Sequence, residues 1–348
     1  MFLAKYITAA VYWVLLLQAE LANAAAADIT SAFQISFGDQ GGNCASVGKD
    51  GLNAIFKDCL TLANAGLDVV SEYAEDPRAK RLLDGFFGAG SDLISDFLND
   101  ISGSYLAVKN WIESPKGLKG GNKPWLFCHH TWLQRLDMNS QARDKNGKLM
   151  TDVNNDPVKM KDVPEYLQTQ KDETAALKDP KSGRGKIAFP YYSQIHTAYI
   201  YDQTYGGLSN GYCDNPVNEG ATSHRLSTTT MTLCPKTFKY RGLHSGSFTP
   251  RSRADIVDGK IPDDAPVLDG NNLPSSATMF HELLHAVLGN DVTYPTLGEE
   301  YRLKGMLTLG FQESLKNPET FTRVAAAWDY TKNSANGVEF YPGYAVVN

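Results

Sequence analysis

The stretch Pro274-Ser275-Ser276-Ala277-Thr278-Met279-Phe280-His281-Glu282-Leu283-Leu284-His285-Ala286-Val287-Leu288-Gly289-Asn290 decides how this chain is read. Positions i and i+4 of a helix share a face, so the imidazoles of His281 and His285 can converge on one metal ion. Glu282, next to His281, can reach a water bound to that ion. Around the polar residues run Met279, Phe280, Leu283, Leu284, Val287 and Leu288. The Ser residues after Pro274 offer an N-cap and Gly289-Asn290 a C-cap, so the pattern predicts a helix over about 276–288. A helix that is apolar on most sides is a buried one. Two His and a Glu on it cost free energy unless they are paired or metal-bound. The context therefore favours a metal centre over a chance occurrence.

Zinc held by two His and a third protein ligand keeps one position for water and lowers the pKa of that water. A carboxylate beside it, here Glu282, can take the proton, and the combination suits peptide-bond hydrolysis. The third ligand has three acidic candidates: Asp291, Glu299 and Glu300. Asp291 lies six residues beyond His285, the spacing of the third metzincin ligand, but Leu288 stands where those proteins place glycine. Glu299 and Glu300 lie on the approach to the next helix, where acids also favour the helix dipole. No His follows the motif, so a three-His site would have to draw on His129, His130, His196, His224 or His244. Adjacent His129 and His130, read as part of a strand, would point to opposite faces and are not expected to be ligands.

The chain has 348 residues and a formal net charge of −6. It has no dense Lys/Arg block and no nucleic-acid motif, so nucleic acid is not an expected partner. An apolar run from Tyr6 to Leu17 after Lys5, followed by Ala22-Asn23-Ala24, reads as a secretory signal peptide cut after Ala24. The run is too short to span a membrane comfortably. The expected product is a secreted, extracellular monomer with no stable membrane insertion. Five cysteines (Cys44, Cys59, Cys128, Cys213 and Cys234) allow at most two internal bridges and leave one thiol. Cys213–Cys234 is the favoured pair, since both lie near the motif. No Cys-x-x-Cys pair offers a thiolate zinc site.

Helical periodicity covers Gly51 to Tyr73, then a zone from about Arg78 to Ile112 that Gly85, Gly88, Gly90 and Gly103 are expected to split. Residues 139–186, rich in Lys, Asp, Asn, Gly and Pro, read as a solvated surface segment. Ser227 to Cys234 reads as a strand. A helix is expected from Tyr301 through Leu315, and another after Asn317-Pro318-Glu319, with Asn317 as N-cap and Pro318 at the first helical position.

From Cys234 to about Tyr330 the chain resembles secreted fungal zincin metalloproteases of the deuterolysin and peptidyl-Lys metalloendopeptidase type, the aspzincins. The resemblance rests on Cys234-Pro235, His281-Glu282-Leu283-Leu284-His285, Tyr301, and Asn317-Pro318-Glu319-Thr320-Phe321, which is similar to the family's Asn-Ala-Asp-Ser-Tyr run. The family motif Gly-Thr-x-Asp-x-x-Tyr-Gly departs here. Anchored on Tyr301, it puts Gly298 where the family has its zinc-binding Asp, with Glu299 next to it. The resemblance thus implies Glu299 as third ligand with Tyr301 assisting the transition state, or Asp291 with Tyr294. The expected fold is a single α+β, mainly helical, zincin-like unit over 25–348, with a helical N-terminal portion (about 25–120) and a small sheet whose edge receives substrate. The expected function is a zinc endopeptidase acting on protein or peptide substrates. The alternative is a weak or inactive zincin-like metal-binding or interaction protein.

Overall fold

The computed structural model describes residues 25–88, 94–177, 189–202, 211–238, 252–258, 273–296, 298–335, 337–340 and 345–347. The expected signal peptide, His244 and Gly90 lie outside them. The N-terminal portion is helical: α1 (Ile29–Ala32), α2 (Gly48–Ser71), α3 (Pro77–Phe87) and α4 (Ile94–Glu113). Of the glycines expected to split the second zone, Gly88 ends α3 in a left-handed conformation at φ +66°, where a side chain would be strained. Gly85 and Gly103 are absorbed within α3 and α4. Asp76 caps α3, its carboxylate accepting from the Arg78 N–H at 2.8 Å, with Pro77 at the first position.

Strand β1 (Trp125–Phe127) is followed by a 3-10 turn at His130–Trp132 and by the short β2 (Gln134–Arg135). His129 and His130 therefore leave the strand before its alternation applies to them. Their rings lie side by side, centroids 4.3 Å apart, rather than on opposite faces. The segment expected to be solvated contains helix α5 (Pro164–Leu177) and contributes Ala142, Met160, Val163 and Tyr166 to a satellite core completed by Leu136 and Tyr192. Strands β3 (Phe189–Ser193) and β4 (Ala198–Asp202) join β2 in an antiparallel sheet. A second sheet has the order β1–β6–β5, with β6 (Thr230–Leu233) parallel to β1 and antiparallel to β5 (Gly220–Ser223). Among the described residues β5 is thus an outer strand of this sheet. Disulfides join Cys44 to Cys128 and, as expected, Cys213 to Cys234, while Cys59 is a buried thiol. No helix among the described residues is long and apolar enough to cross a membrane.

The C-terminal third begins with α6 (Arg253–Val257) and continues with α7 (Ser275–Leu288), the helix that carries the motif. Its N-cap is Pro274, not a serine. Ser275 is already helical and its Oγ donates to the Thr237 carbonyl at 2.8 Å. Gly289 closes the helix at φ +86°. The helix expected from Tyr301 to Leu315 is broken into α8 (Leu303–Met306) and α9 (Phe311–Ser314), because Leu307 to Gly310 turn the chain between them. Tyr301 precedes α8. Helix α10 (Pro318–Asn333) is buried from Pro318 to Thr331, and a hairpin of β7 (Val338–Phe340) and β8 (Ala345–Val347) follows.

The main core packs α2, α4, α7 and α10 together. Tyr105 of α4 sits at their crossing. Its ring lies 6.3 Å from Phe280 of α7 and 5.4 Å from Phe321 of α10, and its hydroxyl donates to the Phe321 carbonyl at 2.7 Å. Gly66 of α2 makes room for that ring, since a Cβ there would lie 2.3 Å from Tyr105 Cε1. Farther along α10, Trp328 Nε1 donates to Asp68 of α2 at 2.7 Å, and Arg253 forks onto buried Asp329 at 2.5 and 2.7 Å. Gly→Ala in a helix normally gains about 1 kcal/mol. Gly66→Ala is expected to reverse that sign and destabilise by about 1–3 kcal/mol through overpacking against Tyr105, read as a lowered urea midpoint at unchanged m-value.

Candidate metal centre

Helix α7 brings His281 and His285 onto one face, with ring centroids 5.0 Å apart. The chain then leaves the helix through Gly289 and returns so that the Glu299 carboxylate lies between the two rings. Glu299 Oε2 is 3.2 Å from His281 Nε2, and Oε1 is 3.1 Å from His285 Nε2. One donor atom from each of the three residues lies within 4.8 Å of the others, the sole such group of His, Cys, Asp and Glu among the described residues.

Each imidazole is oriented from behind. His281 Nδ1 is 3.0 Å from Glu319 Oε2, an acceptor, so Nδ1 keeps its hydrogen and Nε2 faces the site, where a bound cation would take the place of the hydrogen that Nε2 shares with Glu299. Glu319 is held in turn by Arg323 one turn along α10, at 2.6 Å. His285 Nδ1 is 2.8 Å from Thr293 Oγ1, whose own hydrogen goes to the Gly289 carbonyl at 2.8 Å. That hydroxyl is then an acceptor for His285, and Nε2 again faces inward. The donor set fits a divalent cation: two imidazole nitrogens and a carboxylate. Tetrahedral bonds of about 2.0–2.2 Å put neighbouring ligand atoms about 3.3–3.6 Å apart, close to the two His–Glu299 separations of 3.2 and 3.1 Å.

Asn317 fixes where Glu299 stands. Its side-chain oxygen accepts from the Glu300 N–H at 3.2 Å, and its amide donates to the Glu300 carbonyl at 3.0 Å. The expected role of Asn317 as a side-chain N-cap is not taken up. The amide instead clamps the incoming loop and reaches Thr320 Oγ1 at 2.9 Å. Glu300 turns away to pair with exposed Arg302 at 3.1 Å. Asp291 and Tyr294 are both exposed and lie outside the group. None of His129, His130, His196 and His224 joins it. His224 braces α7 from outside, with Nε2 3.1 Å from the His285 carbonyl.

Glu282 is buried beside the two His, and its Oε2 has no hydrogen-bond partner. Strand β5 crosses directly over it. A Cβ on Gly220 would stand 2.7 Å from Glu282 Oε1 and 2.9 Å from Cγ, while Thr222 Oγ1 donates to the Glu282 carbonyl at 3.0 Å. Residues two apart on a strand share a face, so Gly220 and Thr222 both look onto α7. Tyr301 stacks on His281 with centroids 5.6 Å apart, and its hydroxyl donates to Glu299 Oε2.

The electrostatics follow from burial and pairing. Burial opposes charge on His281, but the Glu299 and Glu319 carboxylates outweigh it and hold the imidazole well above its ordinary pKa. Burial likewise opposes charge on Glu299, and hydrogen bonds from both imidazoles pull its carboxyl far below the usual range. Burial raises Glu282, and the neighbouring His281 and His285 only partly offset it. Burial and the Glu299 charge push the Tyr301 phenol up.

Comparisons of the chain with protein-family models, with curated proteins and with solved structures give no match. The site therefore stands on its geometry. Sequence reasoning missed Glu319, Thr293, Asn317 as a clamp, and Gly220. Only Glu319 carried a signal, an acid in the first turn of a helix otherwise read as apolar.

Replacing Glu319 by Gln keeps the shape but removes the charge that orients His281. Zinc affinity is expected to fall about 10–100-fold, measured by competition with a chromogenic chelator, while the circular dichroism spectrum is retained. Gly220→Ala is expected to displace the Glu282 carboxylate and leave zinc affinity within about threefold of wild type, because the added methyl meets Glu282 and no ligand.

Proposed function

We propose that this protein is a zinc-dependent endopeptidase with a zincin-like arrangement, exported from the cell. One observation carries the reading: two inward-facing imidazole nitrogens and a carboxylate converge beside a second, buried carboxylate that keeps an unpartnered oxygen. A zinc ion bound there would supply Lewis acidity towards the scissile carbonyl and acidify its water. His281, His285 and Glu299 would hold the ion. Glu282 receives the proton at Oε2 and passes it to the departing amine. Its burial, which lifts its pKa above that of a solvated Glu, makes it a better base near neutrality and a competent donor afterwards. With Glu299 on the ion, the Tyr301 hydroxyl, which otherwise donates to that carboxylate, would be released as a donor for the developing oxyanion. The outer strand β5, lying across α7, offers main-chain groups to an extended peptide. The resemblance to aspzincins supports the same chemistry, with Glu299 in the role of their Asp. Two disulfides agree with an oxidising compartment, and the N-terminal leader read from residues 1–24 supports export.

The test is metal content together with peptide digestion. Wild-type protein is expected to bind one zinc and cleave casein or a mixed peptide library. Glu282→Gln should retain zinc and lose at least about 10²–10⁴ in turnover. Zinc without cleavage by the wild type would favour a metal-binding interaction protein, and failure to bind zinc would sink both readings.

A further inference from the structure

The hydrogen-bond parity of β5 can be read from its partner. The Cys234 N–H donates to the Glu219 carbonyl at 2.7 Å, one step beyond the Gly220–Leu233 pair that ends the β5–β6 register, so the register extends to a hydrogen-bonded Glu219–Cys234 pair. In an antiparallel pair, hydrogen-bonded and non-bonded positions alternate. Ala221 and Ser223 therefore direct their main-chain groups at β6, while Gly220 and Thr222 direct theirs outward, to an edge that no further strand pairs among the described residues. Those outward residues are the two that lie over Glu282. The edge is not equally open at both. The Tyr212 hydroxyl donates to the Gly220 carbonyl. Tyr212 is anchored there: the next residue, Cys213, is bridged to Cys234 at the end of β6, and Asn218 Nδ2 donates to the Tyr212 carbonyl at 2.8 Å.

We infer that Tyr212 is a specificity-determining residue, which takes the Gly220 carbonyl away from the substrate and ends main-chain pairing on the carboxyl side of the scissile bond. The inference rests on the peptidase reading. An added strand that pairs antiparallel, the stronger mode, runs towards its own C-terminus as β5 is followed back from Ser223 to Gly220. The scissile bond must lie near Glu282, hence opposite the Gly220–Thr222 stretch. Peptide on the amino side then finds the Thr222 N–H and carbonyl. Peptide on the carboxyl side meets a carbonyl already bonded to Tyr212. Long extensions after the scissile bond add little, and residues before it carry the recognition.

The experiment uses two series of zinc-dependent peptide substrates, one lengthened residue by residue before the cleaved bond and one after it. For the wild type, kcat/KM is expected to rise with length before the bond and to change less than about twofold with length after it. Tyr212→Phe keeps the ring and frees the Gly220 carbonyl. It should raise kcat/KM about fivefold for peptides extended after the bond, the worth of one hydrogen bond, and leave short peptides unchanged. A wild type that gains as much from extension after the bond overturns the inference, as does a Tyr212→Phe effect that is equal on all peptides. The same series is read as Kd on zinc-loaded Glu282→Gln protein, which needs no turnover. There the same pattern supports the role of Tyr212 and its absence overturns it, whereas a wild type that cleaves no peptide in either series counts against the peptidase reading itself.

Discussion

The structure depends on how one buried helix accommodates ionisable side chains. His281, Glu282 and His285 all lie out of water on α7. An unpaired buried charge costs several kcal/mol, so the two His are answered by partners, while Glu282, whose Oε2 has none, is pushed by burial towards its neutral form. The partners come from separate parts of the chain: Glu299 from the loop before α8, Glu319 and Arg323 from α10, and Thr293 from the turn after Gly289. Satisfying α7 therefore dictates where α10, Thr293 and Glu299 can go. The apolar contacts of Phe280, Phe321 and Tyr105 hold the same helices together, so the centre and the core specify one arrangement.

A second constraint is steric. Strand β5 can lie over Glu282 because residue 220 has no side chain, and Thr222 pins the strand to the helix backbone. Edge strand, buried acid and converging imidazoles are thereby brought within one short span. The Cys213–Cys234 bridge belongs to this assembly, since it fixes the chain that approaches β5 to the end of β6.

Much of the helical framework was legible, because apolar residues at helical spacing bury whatever surrounds them. Helices α2, α7 and α10 appear where periodicity places them, with ends shifted by a few residues. The breaks were less legible. Gly85 and Gly103 sit inside helices because packing outweighs the weak helical propensity of glycine. The apolar residues after Tyr301 keep a helical spacing yet fall on two short helices. The composition of residues 139–186 suggested only solvated chain, yet a few of its apolar residues pack with Leu136 and Tyr192 into a small core.

The sequence by itself determined the two imidazoles and the neighbouring acid, because one helical turn is a local property and the motif needs nothing beyond it. It narrowed the candidate third ligand to a few acids without separating them. Tertiary structure brings one of them, Glu299, to the two imidazoles. Glu299 faces the rings because Asn317, seventeen residues farther on, clamps its neighbour's backbone. Asp291, much nearer the motif in sequence, is left at the surface. Local spacing sets which side chains share a helix face. Long-range packing sets which loop is folded back against that face, and no short-range pattern records the difference.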